Sequence, residues 1–171
     1  MANTKVIDLK GAGAAFRADH KRAVASVRLG LIEAALEAEV IISQATPVDT
    51  GNTRLRWQTV ITTDGAEVVN DSPVALYLEE GTKPHRPPLW PLILWLARKN
   101  GRSLAGATTL KDVPGELVGA ARKIQARIEV QGTKGKKMIA SNLPKLEAIA
   151  KKRVEQRLKA ASDARSGEDK S

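Results

Sequence analysis

The chain has 171 residues, of which 42% are apolar and 27% charged, the balance of a soluble globular protein with one domain. Lys and Arg outnumber Asp and Glu by 28 to 19, a formal net charge of +9. The absence of cysteine excludes disulfides, thiol catalysis and thiolate-held metals, and two histidines are too few for a histidine-rich metal site. No apolar stretch approaches the roughly 20 residues of a membrane-spanning helix, and residues 1–10 lack the apolar core of a secretory signal. We therefore expect the chain to stay in the cytoplasm of the cell that makes it, unless a particle carries it out.

The first element is a long helix over residues 14–45. Its apolar residues recur at spacings of three and four, which places them on one helix face; they are Val24, Val27, Leu31, Ala35, Ala38 and Ile42. Gly30 lies inside this helix and indicates close packing against a neighbour, because a helical glycine costs about 1 kcal/mol relative to alanine. Thr46-Pro47 ends the helix, since the residue before a proline avoids helical geometry.

A β-hairpin follows the helix. Residues 54–63 alternate between two faces, which is typical of a strand, and residues 66–70 form the second strand. Between them lies Asp64-Gly65, a pair favoured in tight two-residue turns.

The second half of the chain is mostly helical. Residues 74–80 are a short helix or an irregular piece, residues 81–88 a stiff proline-rich loop, and residues 89–100 a short helix that is apolar nearly all round. One side of that helix can face the domain core, and the other needs a second cover such as a neighbouring subunit. Asp112 can cap a helix over residues 113–131. A basic loop or short strand follows at residues 133–139, and a last helix starts at Asn142.

These elements predict an α+β fold, in which the long N-terminal helix and further helices pack on a small antiparallel sheet containing the hairpin. Residues 1–161 are expected to form a single domain. Residues 162–171 are polar and are expected to form a disordered tail.

Three motifs have a chemical and a structural interpretation. The triplet Asp49-Thr50-Gly51 occurs in aspartic proteases, but after a helix and a proline it favours a turn, with Asp49 bonded to its own backbone and Gly51 left-handed. Glu79, Glu80 and His85 suggest a metal or acid–base site, but they favour a solvated loop because no third ligand is evident. Residues 131–160 carry nine Lys or Arg and two Glu. Such a basic face could bind nucleic acid, although a solvated helix face is the commoner explanation.

Four segments, in this order, resemble the head–tail joining or tail-completion proteins of long-tailed bacteriophages, which are neck or minor tail components. They are residues 46–51 (TPVDTG) with 55–56, residues 69–85 (ending in GTKPH), residues 87–99, and residues 121–124 with 132–135 (GTKG). The resemblance spans residues 20–160. Two departures affect local packing: residues 74–76 replace the family's usual tyrosine–alanine start, and Met138 stands where phenylalanine is frequent.

The resemblance implies a non-enzymatic virion protein without cofactor, catalytic residue or metal. Its subunits would form a six- or twelve-fold homo-oligomeric ring in the host cytoplasm, between a connector or stopper and a tail terminator or tube. Genomic DNA would pass through its channel. The expected inter-subunit or ring contacts are Gly81, Thr82, Lys83, Pro84, His85, Arg86, Leu92, Leu96, Gly132, Thr133, Lys134, Lys136 and Lys137. The structural turn comprises Pro47, Asp49, Thr50 and Gly51. The alternative is a basic nucleic-acid-binding accessory protein that uses its last helix.

Overall fold

The structure, a computed structural model, describes residues 9–168 and confirms the α+β class. The expectations for residues 1–8, no secretory signal, and for residues 169–171, a disordered tail, lie outside the described residues. The helices are α1 Leu9–Ala45, α2 Pro73–Glu80, α3 Leu89–Lys99, α4 Gly115–Gln131 and α5 Leu143–Glu168. The strands are β1 Trp57–Ile61, β2 Ala66–Asn70, β3 Gly81–Thr82 and β4 Thr133–Lys134, paired as β1–β2 and β3–β4. No helix among these residues combines the length and hydropathy that crossing a membrane requires.

The described chain forms two compact units, and the single domain expected from the sequence stays a prediction. The first contains the chain up to Val40, residues 58–69 and the chain from Leu143 onward. The second contains residues 41–57 and 70–142.

In the first unit, α1 packs against the hairpin and against α5. Arg28 donates to the carbonyl oxygen of Thr62 (3.0 Å), and the Thr59 hydroxyl bonds the Glu39 carboxylate (2.6 Å). Gly30 marks a close helix contact, as predicted, because an added Cβ would lie 2.7 Å from the Cα of Val154 on α5.

Ion pairs join α1 to α5 along their length. Acidic residues of α1 each accept hydrogen bonds from an arginine of α5; the pairs are Asp19–Arg165, Glu33–Arg157 and Glu37–Arg153. The hydrogen bond from Arg157 lowers the pKa of Glu33 below its usual value. The α5 helix therefore continues through Glu168, into the segment from Ser162 that was expected to be disordered.

The hairpin forms where predicted, with two corrections. Residues 54–56 are a 3₁₀ turn and not strand, because the Arg56 amide donates to the Thr53 carbonyl (3.4 Å) and the Leu55 amide donates to the Gly51 carbonyl (3.1 Å); the Leu55 side chain is 82% exposed. The Thr62 amide donates to the Gly65 carbonyl (3.0 Å), which centres the turn one residue before Asp64-Gly65. Gly65 serves packing instead, since a Cβ there would lie 3.2 Å from the side chain of Leu31.

In the second unit, α3 and α4 enclose the core. The buried residues of this cluster are Ile93, Ala97, Val113, Leu117 and Ala121. Asp112 does not cap α4. Its carboxylate instead accepts hydrogen bonds from the amides of Thr108 and Thr109 at a 3₁₀ turn, which lowers its pKa, and α4 begins after Pro114.

Candidate functional site

One antiparallel ribbon, β3–β4, joins residues 81–82, from the predicted proline-rich loop, to residues 133–134, from the segment predicted as a loop or short strand. Gly81 pairs with Lys134, and Thr82 pairs with Thr133. The hydroxyls of the two threonines lie 3.0 Å apart. The ribbon therefore joins the chain after α2 to the chain after α4, across 51 positions of sequence.

Glycines make this close pairing possible. Gly81 and Gly132 both have positive φ (+87° and +67°), a region that side chains with a Cβ rarely adopt. A Cβ at Gly81 would overlap the Thr133 carbonyl oxygen, and one at Gly132 would overlap that of Thr82. A Cβ at Gly135 would overlap the carbonyl oxygen of Glu79. These overlaps involve backbone atoms, so no side chain can move aside to relieve them.

Hydrogen bonds from backbone amides connect the chain after β4 to α2. The Lys136 amide donates to the Leu78 carbonyl (2.6 Å), and the Lys137 amide donates to the Glu79 carbonyl (3.2 Å). The Glu79 carboxylate accepts the amides of Ile139 (2.9 Å) and Ala140 (3.0 Å). Glu79 thus belongs to a helix and anchors a turn, where the sequence favoured a solvated loop. The structural role of Glu79 depends on hydrogen bonds from residues about 60 positions away. No local sequence pattern indicates such a role.

The proline-rich segment lies along α4. The His85 amide donates to the Ile128 carbonyl (3.4 Å), and the Gln125 side chain donates to the Pro87 carbonyl (2.7 Å). Arg86 lies 3.9 Å from Glu129. His85 Nδ1 lies 2.9 Å from the Lys83 carbonyl oxygen, so its ring packs back on its own loop. The loop is therefore held in place by its contacts with α4 in addition to the stiffness of its prolines.

An open cleft of about 650 Å³ lies beside the ribbon. Leu76 and Tyr77 of α2 form its apolar part and are 60% and 58% exposed. Residues 80–85 form the rest, which includes most of the predicted contact loop. A large exposed apolar pair next to a rigid backbone is typical of a protein contact surface. The sequence analysis did not select Leu76 or Tyr77 for this role.

An ion pair connects the turn over residues 46–53 to α3. Gly51 has φ +88°, as predicted, but Asp49 binds Arg98 (2.5 and 2.9 Å) where its own backbone was expected. The hydrogen bond from Arg98 lowers the pKa of Asp49. The carboxylate thus faces a guanidinium, whereas an aspartic protease pairs it with a second carboxylate.

Thr46 holds the start of the same turn and is fully buried. Its hydroxyl accepts a hydrogen bond from the Trp57 indole (2.8 Å) and donates one to the Ile42 carbonyl (2.8 Å). Pro47, Thr50 and Gly51 line a second cleft of about 420 Å³, with Trp95 of α3.

Leu92 and Leu96, the predicted contacts on α3, lie elsewhere. Both are half-buried and pack against the core cluster of the second unit. The other side of α3 carries Trp95, with the Lys99 ammonium 5.0 Å from its ring centroid. Trp95 thus faces the second cleft beside the turn over residues 46–53, and a neighbouring subunit on this side of α3 stays a prediction.

The ion pairs of the described residues are formed by arginines and not by lysines. Arginines form the ion pairs; besides the three with α1 they are Arg56–Asp71, Arg86–Glu129, Arg98–Asp49 and Arg102–Glu116. The lysines of the ribbon region, Lys83, Lys134, Lys136 and Lys137, are exposed and pair with no described carboxylate. We call these four the ribbon lysines.

Among residues 9–168, no group of three or more His, Asp or Glu side chains is placed to hold a metal ion. Comparison with protein-family models, curated proteins and solved structures finds no match for the chain.

Proposed function

We propose that the protein is a non-enzymatic structural subunit of a phage neck. It forms a homo-oligomeric ring at the head–tail junction of the virion, between a connector or stopper and a tail terminator or tube. The sequence segments that resemble neck proteins support this function. The structural observation that carries it is the glycine-dependent ribbon with an exposed apolar cleft beside it.

The ribbon gives the ring a rigid contact element. Backbone hydrogen bonds hold both of its arms, and its glycines allow the two backbones to pack in direct contact. A contact that is ordered before association loses less conformational entropy on binding, so it binds more tightly for the same area. We place the subunit contact at Leu76 and Tyr77, the apolar part of the cleft, with a second copy of the chain as its occupant. The ribbon lysines lie outside this contact.

Leu92 and Leu96 are poor probes of this contact. They pack against buried residues, so a charge at either position would destabilise the second unit before it affected assembly.

The alternative of a nucleic-acid-binding accessory protein that uses α5 has less support. Arg153, Arg157 and Arg165 are already paired with carboxylates of α1. Glu147 and Glu155 each precede a lysine of α5 by four residues, a favourable helix pairing. These arrangements leave α5 with less uncompensated charge than its composition indicates.

Complementation of a phage lacking the gene tests the subunit contact. We expect Tyr77→Lys to lower the yield of infectious particles at least about tenfold, because burying an unpaired charge costs several kcal/mol. The matched control is Val24→Lys on α1, a site of similar exposure (54%), which should complement as wild type does. Wild-type yield with Tyr77→Lys would contradict the assigned contact, provided that circular dichroism shows both variants folded.

A further inference from the structure

We infer that the ribbon lysines form a binding surface for the phosphate backbone of duplex DNA. This inference rests on the proposed neck function, in which DNA passes through the ring, and it specifies which part of the chain faces that DNA. The partner is recognised by charge and not by sequence, because lysine side chains contact phosphates without reading base edges.

The first argument is the distribution of charge. Arginine is the basic residue that the described chain uses for its internal ion pairs, and the described lysines, including Lys83, Lys134, Lys136 and Lys137, have no carboxylate partner. The two segments that carry them, residues 81–86 and 132–138, contain no acidic residue. Glu79 and Glu80 directly precede the ribbon and keep their negative charge, although the Glu79 carboxylate is held by two backbone amides. The four ribbon lysines outnumber these two carboxylates, so the ribbon keeps an excess of positive charge.

The second argument is the position of the lysines on a fixed backbone. Lys134 lies opposite Gly81 in the ribbon, Lys83 follows Thr82, and the amides of Lys136 and Lys137 are bonded to α2. The pairing thus places four lysines from two parts of the sequence on one short stretch of paired backbone. A flexible basic tail would lose conformational entropy when it became ordered on binding. The backbone that carries these lysines is already ordered, so this cost is smaller.

The third argument is the backbone of Lys137. Among the described residues it is the one non-glycine residue with positive φ (+54°). Such a conformation is strained for a residue with a Cβ, and glycine or asparagine adopts it more easily. Strain of this kind concentrates at functional positions. A phosphate contact made by the ammonium group would explain why this position carries lysine and not glycine.

Fluorescence anisotropy with a labelled duplex of about 30 base pairs, long enough to cover several phosphate contacts, tests the inference on the full chain. One variant carries glutamine at all four ribbon lysines. Its matched control carries glutamine at four lysines of α5, Lys145, Lys151, Lys152 and Lys159, so the charge change is identical. Lys137→Gly is a third variant, chosen because it relieves the positive φ and should keep the fold. Circular dichroism checks each one.

We expect the ribbon variant to bind at least about tenfold more weakly at low salt than wild type. Its slope of log affinity against log salt should become shallower by up to about 0.9 for each phosphate that the protein no longer neutralises. Lys137→Gly should bind more weakly without losing helical signal, and the α5 variant should stay within about threefold of wild type. Equal binding by the ribbon variant and wild type, or a greater reduction in the α5 variant, would overturn the inference. So would polyglutamate competing as well as unlabelled DNA, since that would assign the lysines to an acidic protein.

The two proposals fail differently. Ribbon-dependent DNA binding by a protein whose gene is dispensable for joining heads to tails would refute the neck function alone. Separate heads and tails without the gene, together with no DNA binding, would refute the ribbon surface alone.

Discussion

Alanine at Gly81 or Gly132 is expected to destabilise the protein by about 3 kcal/mol. With ψ of −168° and −157°, these two glycines lie in a region of positive φ that is almost restricted to glycine and costs a residue with a Cβ about 1–3 kcal/mol. Forcing extra volume into a packed site costs about 1–3 kcal/mol more. At both glycines the added Cβ overlaps a carbonyl oxygen of the facing strand, so the ribbon must separate to accept it. Disruption of the ribbon also removes the geometry of the proposed contact surfaces.

A glycine with nearly the same φ provides the control. Gly106 has φ +86°, almost equal to the +87° of Gly81, but an added Cβ meets nothing within 4 Å. Gly106→Ala should therefore cost only about 1 kcal/mol, the conformational part. Urea unfolding followed by the fluorescence of Trp57, Trp90 and Trp95, all in the second unit, measures the difference. Equal destabilisation by Gly81→Ala and Gly106→Ala would show that the ribbon is not closely packed.

Alanine at Gly30 is expected to destabilise the first unit by about 1 kcal/mol net, although alanine is the better helix former. The added Cβ would lie 2.7 Å from the Cα and 2.9 Å from the backbone nitrogen of Val154, so α1 and α5 must move apart. Overpacking of this kind costs about 1–3 kcal/mol, which exceeds the gain of about 1 kcal/mol in helix propensity. Separation would also weaken the ion pairs of α5 with Glu33 and Glu37.

Gly119 in α4 provides the opposite case. It also lies inside a helix, but a Cβ there would meet nothing within 4 Å. Gly119→Ala should therefore stabilise the protein by up to about 1 kcal/mol through helix propensity alone. Urea unfolding followed by far-ultraviolet circular dichroism reports both variants. A stabilising effect at both positions would mean that α5 does not pack on Gly30 as described.

Local patterns predict most of the secondary structure. The apolar spacing of α1 and the Thr46-Pro47 boundary give the correct end of that helix, and α3 and β2 are also correct. Each of these depends on residues a few positions apart, which periodicity reports directly. The strand assignment of Leu55 is wrong because alternation alone does not reveal the hydrogen bond from its amide to Gly51.

The candidate site depends on contacts that no local pattern contains. The two Gly-Thr-Lys triplets are visible in the sequence, yet their pairing joins residues 51 positions apart, and only the fold brings them together. Asp49 and Arg98 are 49 positions apart, and Glu79 is 60 positions from the amide of Ile139. Leu92 and Leu96 were predicted as contacts because α3 is apolar on several sides. In the structure both side chains pack against the buried cluster that α3 forms with α4.

The continuation of α5 has a similar cause. A polar segment of low hydropathy favours disorder when it is considered alone. In the structure Arg165 is bonded to Asp19, a residue 146 positions earlier, and this long-range pair supports the last turns of the helix.

Electron microscopy of lysates from a source phage that lacks this gene tests the central claim most directly. The proposed neck function predicts DNA-filled heads and separate, complete tails, with joining restored by a plasmid copy of the gene. Intact and infectious particles without the gene would contradict it.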